Sequence, residues 1–272
     1  MTPRVVIVTG GTFGIGRAIT LRLAELGHSV VAFGLESRQI SSIAADAIPS
    51  LAADLKQRGL QAELMEADVS NPGDVARVAE IALKRHGRID ALVNNAAIGP
   101  LGTVLDTDEA TFDRIMAVNL KGPYLSSRAV LPHMIAAGGG AIVNIGSGAG
   151  WGKPNMAAYS ASKGGVFALS AAMAYDFLHH RIRVNTVVPG GGGIVSGMSL
   201  GRVGGDPSRL GRGAPGTAAG RPATGEDIAN AIAFLISPEA EAISGTVIDV
   251  GCFAHQGGPV PAKPTTTQGE QA

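Results

Sequence analysis

Thr9-Gly10-Gly11-Thr12-Phe13-Gly14-Ile15-Gly16 follows an apolar run, Val5 to Thr9, and opens an apolar-periodic stretch, Gly14 to Leu26, that ends at Gly27. Read as strand, glycine-rich turn and helix, this order leaves bare backbone N–H groups at the helix start. Those groups attract an anion, and the glycines let the chain turn tightly and approach a pyrophosphate. The spacing is Gly-x-x-x-Gly-x-Gly rather than the commoner Gly-x-Gly-x-x-Gly. Glycine also marks ordinary turns, so the signal comes from its place at the head of an α/β alternation.

That alternation runs along the chain. Further strands are expected at Ser29–Phe33, Ala62–Ala67, Ile89–Asn94, Ala141–Ile145, Ile182–Val188 and Thr246–Val250. Between them the pattern predicts a helical region Ser37–Arg58 interrupted at Pro49, a helix Pro72–Arg85 with proline at its start and Gly87 beyond its end, and a long helix Glu109–Ala136 kinked at Gly122-Pro123. Helices Ala158–Leu178 and Glu226–Ile236 complete the set. The expected fold is a single α/β domain, doubly wound in the Rossmann manner, with seven mostly parallel strands.

Composition agrees with this. Hydrophobic residues make up 45 % of the 272, but aromatics only 4 %, so the core must be aliphatic, as suits a sheet covered on both faces. Lys plus Arg and Asp plus Glu are 22 each, which indicates neither a nucleic-acid surface nor a polybasic membrane face. The one cysteine, Cys252, excludes an intrachain disulfide and a multi-cysteine metal site. Met1-Thr2-Pro3-Arg4 leads straight into a strand, and no apolar run is long enough to span a bilayer; a cytoplasmic protein is expected.

Two stretches depart from the alternation. Residues 190–220 hold twelve glycines, and a long irregular segment leaving a strand's C-terminal end is read as a substrate loop or lid over 190–222. Residues 257–272 read as a flexible tail following a catalytic domain of residues 1–256.

Tyr159 and Lys163 in Tyr159-Ser160-Ala161-Ser162-Lys163 are one helical turn apart and share a face. A cation beside a phenol favours phenolate, giving a proton donor and acceptor usable near neutral pH. Asp68-Val69 ends the third strand, where its carboxylate can accept from an adenine amino group or cap the helix begun by Pro72. Asn94-Asn95-Ala96-Ala97 ends the fourth.

With Asn119, Ser147 and Pro189-Gly190 added in the same order, the chain resembles the short-chain dehydrogenase/reductase family from Val5 to Gly251. The resemblance implies Tyr159 as general acid or base, Lys163 tuning it and holding the nicotinamide ribose, Ser147 donating to the substrate oxygen, and Asn119 holding a water on a proton path. It implies a dinucleotide bound by Gly10, Thr12, Phe13, Gly14, Ile15 and Gly16, by Asp68 and Val69, by Asn95 and Ala96, by Tyr159 and Lys163, and by Pro189 and Gly190. No metal is implied. The substrate is then a small secondary alcohol or ketone, and the assembly a homo-tetramer or dimer. A 3-oxoacyl-thioester (acyl-carrier-protein) reductase using NADPH and a dinucleotide-binding scaffold or redox sensor are the alternatives.

NAD or NADP is undecided by the second strand's end, Phe33-Gly34-Leu35-Glu36-Ser37-Arg38. Glu36 favours NAD, Ser37 and Arg38 favour NADP, and the absence of a base from the Gly11-Thr12-Phe13 turn tips the reading to NAD. Trp151, Asn155, Met156 and Met198, with Phe253, are candidate pocket walls. Arg202, Arg209 and Arg212 stand against Asp206 in the glycine-rich segment. Ala97 replaces the family's usual glycine, and Ser196 is displaced by the inserted Gly191-Gly192-Gly193.

Overall fold

Among the described residues the apolar runs, the central ones buried on both faces, produce seven strands, β1 (Val5–Thr9), β2 (Ser29–Gly34), β3 (Glu63–Glu66), β4 (Ala91–Asn94), β5 (Gly140–Ile145), β6 (Ile182–Pro189) and β7 (Val247–Val250). The structure, a computed structural model, describes residues 2–36, 46–190, 194, 196–202, 206–210 and 217–251. Strand order is β3-β2-β1-β4-β5-β6-β7, and every neighbouring pair is parallel. The sheet is thus wholly rather than mostly parallel. The chain winds outward from β1 to β3, then returns to lay β4 on the other side of β1. Between the carboxyl ends of β1 and β4 lies the topological switch point where such sheets bind ligands.

Period-two alternation sends neighbouring β1 residues to opposite cores. Val6 and Val8 join Ile19 and Leu23 of α1 (Gly14–Glu25) and Ile228 and Ile232 of the last helix. Ile7 faces Val78 of α3 (Pro72–His86), Met134 and Met173. Each fully buried aliphatic side chain of this kind contributes roughly 1.5–3 kcal/mol, so both faces of the sheet must be covered.

Several elements differ in extent from the sequence reading. α2 is Ala47–Gln57, and Pro49 lies inside its first turn rather than interrupting it. The missing N–H costs nothing there, because the first four amides of a helix have no intrahelical acceptor. β4 starts at Ala91, two residues late, because the Asp90 carboxylate accepts the Val5 N–H at 2.8 Å. The long helix is two, α4 (Glu109–Met116) and α5 (Gly122–Ala136), joined by a π turn, Ala117–Lys121. Pro123 has no N–H to give the Asn119 carbonyl four residues back, so the break falls one turn before the Gly122-Pro123 position.

α6 spans Ala157–Asp176, and a 3-10 turn, Leu178–His180, takes its expected last residue. The glycine-rich segment contains a short helix, α7 (Gly197–Arg202), and a 3-10 turn, Pro207–Arg209. α8 (Gly225–Ile236) starts on a capping box between Thr224 and Asp227. Ser37, Arg38, Arg212, Cys252, Phe253 and the 257–272 tail lie outside the described residues, as does the side chain of Arg202.

Candidate active site

The glycine-rich turn carries α1 to the switch point. Gly10 has φ 59, and a Cβ on it would meet Ala96 Cα at 2.8 Å; a Cβ on Gly16 would collide with the Gly10 carbonyl oxygen. Only glycine lets turn, helix and β4 approach this closely. Thr20 Oγ1 donates to the Gly11 carbonyl at 2.8 Å and locks the turn from behind. The N-cap, Phe13, offers no side-chain hydrogen bond, and the first turn of α1 has no acidic residue. Its opening N–H groups are therefore available to an anion, reinforced by the helix dipole.

β4 is laced to this turn. Thr9 Oγ1 accepts from the N–H groups of both Asn95 and Ala96 at 3.0 Å, while Asn95 Nδ2 donates to the carbonyls of Thr9 and Gly10 at 3.2 and 2.9 Å. Asn94 braces the interior. Its Nδ2 donates to Asn144 Oδ1 at 2.8 Å, and Asn144 Nδ2 donates to Ser170 Oγ on α6, also at 2.8 Å. Thr186 Oγ1 of β6 donates to the same Ser170 at 3.0 Å. This buried chain ties β4, β5 and β6 to α6, the helix that presents Tyr159 and Lys163.

Tyr159 and Lys163 are 7 % and 2 % exposed. Lys163 Nζ lies 5.9 Å from the Tyr159 ring centroid and donates to the Ile145 carbonyl at the end of β5 at 2.7 Å. Burial pushes the Lys163 ammonium down to about 8 from its usual 10.5, so it is still mostly charged at neutral pH. Ser147 Oγ accepts the Ala149 N–H at 3.1 Å, capping the turn Gly148–Trp151. That bond occupies a lone pair and leaves the hydroxyl proton to donate elsewhere.

One cavity of about 1000 Å³ runs from the glycine-rich turn to these residues. At one end its wall holds Gly10, Thr12, Phe13, Gly14 and Ile15, with Asp68 and Val69 beside them; Asn95 and Ala96 line the middle. Ser147, Tyr159, Lys163, Pro189 and Gly190 line the other end. A cavity continuous from an uncapped helix N-terminus to a buried phenol–ammonium pair fits a dinucleotide with its pyrophosphate on α1. Asp68 does not cap α3. Its Oδ1 accepts from Ser70 N and Oγ at 2.8 and 2.7 Å, and Asn71 supplies the cap.

Three predicted site residues do not line the cavity. Gly16 acts through its lack of a side chain, as above. Glu36 turns away from it: Oε1 accepts the Ile48 N–H at 2.8 Å, satisfying an amide at the start of α2. Leu35, not Glu36, reaches the cavity at the end of β2. Asn119 is fully buried, and its side chain is spent on Ile98 N and O at 2.9 and 2.8 Å and on Ser162 Oγ at 3.0 Å.

Of the candidate wall residues, Met156 and Met198 line the cavity. Trp151 instead packs on Phe167, ring centroids 4.5 Å apart. Asn155 takes a left-handed backbone, φ 58, and its carbonyl accepts the Gly102 N–H at 2.9 Å. Ser196 also lines the cavity, its Oγ accepting the Ser199 N–H at 3.0 Å.

The sequence reading did not single out Ser162, Asn144 or Thr9 for a positioning role. Ser162 donates to the Tyr159 carbonyl at 2.8 Å while holding Asn119. A small hydroxyl one position before Lys163 carries no periodic signal, so only the packed structure reveals it. Lys153, Arg114 and Arg209 also line the cavity.

Comparison with known proteins adds an independent line. The family model for short chain dehydrogenase matches residues 4–199. The chain is 38 % identical to 2-(S)-hydroxypropyl-CoM dehydrogenase 3 of Xanthobacter autotrophicus, over 93 % of this chain and 95 % of that protein. It is 35 % identical to cyclopentanol dehydrogenase of a Comamonas species, over 93 % and 98 % respectively. The crystal structure of gox2181 superposes with a TM-score of 0.79 at 29 % identity, covering 93 % of this chain and 96 % of the other. Sequence, sheet order and cavity lead to one conclusion: the chain belongs to the short-chain dehydrogenase family.

Proposed function

We propose that the protein is a nicotinamide-dependent oxidoreductase that interconverts a secondary alcohol and its ketone, with Tyr159 exchanging the proton at the substrate oxygen. The observation that carries this reading is that Ser147, Tyr159 and Lys163 share the wall of the cavity that begins at the uncapped start of α1. The two relatives named for a 2-hydroxypropyl group and for cyclopentanol both point to a secondary carbinol.

The bound nicotinamide supplies or accepts the hydride; the protein supplies position and the proton. Gly14, Ile15 and Gly16 would offer backbone N–H groups to the pyrophosphate. Asp68 would accept from the adenine amino group, and Lys163 would hold the nicotinamide ribose. In reduction Tyr159 gives its phenolic proton to the carbonyl oxygen, while Ser147 donates a hydrogen bond to the charge developing there. The Lys163 ammonium, desolvated and close to the ring, stabilises the phenolate left behind.

A proton path through residue 119 has to use its main chain. The Asn119 side chain is fully bonded, whereas Pro123 leaves the Asn119 carbonyl without its α-helical donor. We therefore assign any relay water to that carbonyl.

NAD is the cofactor this reading favours, now on different grounds from the sequence reading. Glu36 is engaged by α2, but no basic side chain of the described residues at the end of β2 lines the cavity. Arg17 of α1 is held by Asp54 at 3.0 Å. The segment 190–222 would serve as a lid, a reading supported by Met198 of α7: a Cβ on Gly99 would collide with it and come within 3.0 Å of the Tyr159 ring. Assembly into a dimer or tetramer through α4, α5 and α6 is supported by an open hollow of about 690 Å³ between them, lined by Met116, Leu120, Tyr124 and Leu169. A cytoplasmic location, consistent with a single cysteine, belongs to the same proposal.

The test is a parallel titration with NADH and NADPH followed by turnover of a panel of secondary alcohols and ketones. Tighter NADH binding and turnover of secondary ketones support the proposal. NADPH preference with 3-oxoacyl thioesters as the turned-over substrates would replace it with the thioester reductase, and binding without turnover of any substrate would replace it with a scaffold.

A further inference from the structure

The cavity carries more positive charge than the reaction above uses. The sequence is formally neutral, yet among the described residues lining the cavity Arg114, Lys153, Lys163 and Arg209 face a single carboxylate, Asp68. Lys163 belongs to Tyr159, and the start of α1 serves the pyrophosphate. Asp68 lies at the end of β3, on the far side of the switch point from Ser147. The remaining cations have no role in hydride or proton transfer.

Lys153 is the most definitely placed of them. It sits on the short connection between the turn capped by Ser147 and the start of α6. Gly152 before it has φ 96 and Asn155 two residues after it has φ 58, with Pro154 between. Asparagine is among the few non-glycine residues that take a left-handed backbone readily, so both positions suit a tight turn that surrounding bonds hold. Those bonds are present. The Asn155 carbonyl accepts the Gly102 N–H at 2.9 Å, and the Gly102 carbonyl accepts the Ala157 N–H at 3.1 Å. The connection is therefore stitched to the strip after β4, which holds the backbone of Lys153, an exposed residue, in the same wall as Met156 and Tyr159. Among the described residues, no carboxylate lies within 4 Å of its ammonium. Arg209 reaches the cavity from the segment after β6, beside Leu210, with Asp206 at 3.3 Å.

We propose that Lys153, assisted by Arg209, forms an anion subsite at the substrate end of the cavity, and that the preferred substrate is a secondary alcohol or ketone bearing a carboxylate or sulfonate a few bonds from the reacting carbon. The inference rests on the oxidoreductase reading above. Lys153 and Arg209 are both exposed at the cavity rim, so their attraction for an anion is of the modest, salt-screened kind. The charge thus discriminates between substrates of otherwise equal shape.

Two matched pairs test it: 4-oxopentanoate against its methyl ester, and 2-oxopropylthioethanesulfonate against 2-oxopropylthioethanol. The anionic member is expected to have a kcat/KM about three- to fivefold higher in at least one pair, and which pair does so separates carboxylate from sulfonate. That ratio should fall towards one in Lys153→Met, persist in Lys153→Arg, and shrink as salt is added. Ratios near one in both wild-type pairs, or a ratio untouched by Lys153→Met, would overturn the subsite while leaving the oxidoreductase reading in place. A rise confined to the KM for the nicotinamide cofactor in Lys153→Met would overturn it too, by assigning the lysine to the cofactor. Failure to turn over all four ketones while other secondary alcohols or ketones react would overturn the subsite alone, and failure with every secondary alcohol and ketone would overturn both readings.

Discussion

At the Tyr159 end of the cavity, side chains bond to side chains across three strands, from Asn94 through Asn144 to Ser170 and Thr186. At the β2 end, backbone geometry and the absence of side chains do the shaping, through Gly10, Gly16 and Gly34. Reaction chemistry needs particular atoms at particular places, so its end is built from a few irreplaceable residue types. Ribose recognition needs only some hydrogen-bonding group within reach, so many sequences satisfy it. The first end is therefore constrained by identity and the second by shape.

The largest effect expected from breaking this contrast is at Lys163. On the proposed mechanism Lys163→Met removes the cation that would make Tyr159 usable as an acid–base group, and kcat/KM should drop by about 10²–10⁴ in a steady-state assay. The same variant has a stability signature. In the folded state the Lys163 pKa is about 8, below the 10.5 of the unfolded chain. Below pH 8 the ammonium is present in both states and its burial is a standing cost to folding. Between pH 8 and 10.5 the folded protein has lost that proton while the unfolded chain keeps it. Wild type should therefore gain stability relative to Lys163→Met over that window, by about 3 kcal/mol in total, measured by urea unfolding at stepped pH. A constant difference would contradict the buried ammonium.

Next in size is the polar chain behind the tyrosine. Asn144→Leu removes two bonds of the network, leaving Asn94 Nδ2 only its long 3.4 Å contact with Ser127 and Ser170 its bonds to Val166 and Thr186, which should cost about 1–3 kcal/mol and lower activity with it. A loss below 1 kcal/mol would mean that the network is dispensable. The smallest effect belongs to the other end. Glu36→Gln should change the dissociation constants for NADH and NADPH less than about threefold, since 1 kcal/mol corresponds to about fivefold and the carboxylate bonds Ile48 rather than lining the cavity. A tenfold loss of NADH binding would return Glu36 to the ribose.

Much of the architecture was legible in the sequence because strand and helix periods are written in the apolar pattern. That Tyr159, Lys163 and Ser147 share one cavity wall was legible for a different reason, since few residue types are able to transfer a proton and these stand at a distinctive spacing. What could not be read was direction. Glu36 lies next to the cavity in sequence but is claimed by an α2 amide twelve residues later, a competition that no local motif records. Asn119 was placed in a long helix, whereas Pro123 and the π turn divide that helix and reserve the side chain for Ile98. Ser162 and Asn144 became visible only as members of a packed network, because a lone hydroxyl or amide in an apolar run has no signature of its own.

Single-turnover hydride transfer by Tyr159→Phe, with the nicotinamide cofactor and a secondary ketone both saturating, examines the phenol directly. The account predicts a rate lower by at least about 10²-fold, with the cofactor dissociation constant within about twofold of wild type. Transfer at close to the wild-type rate would contradict it.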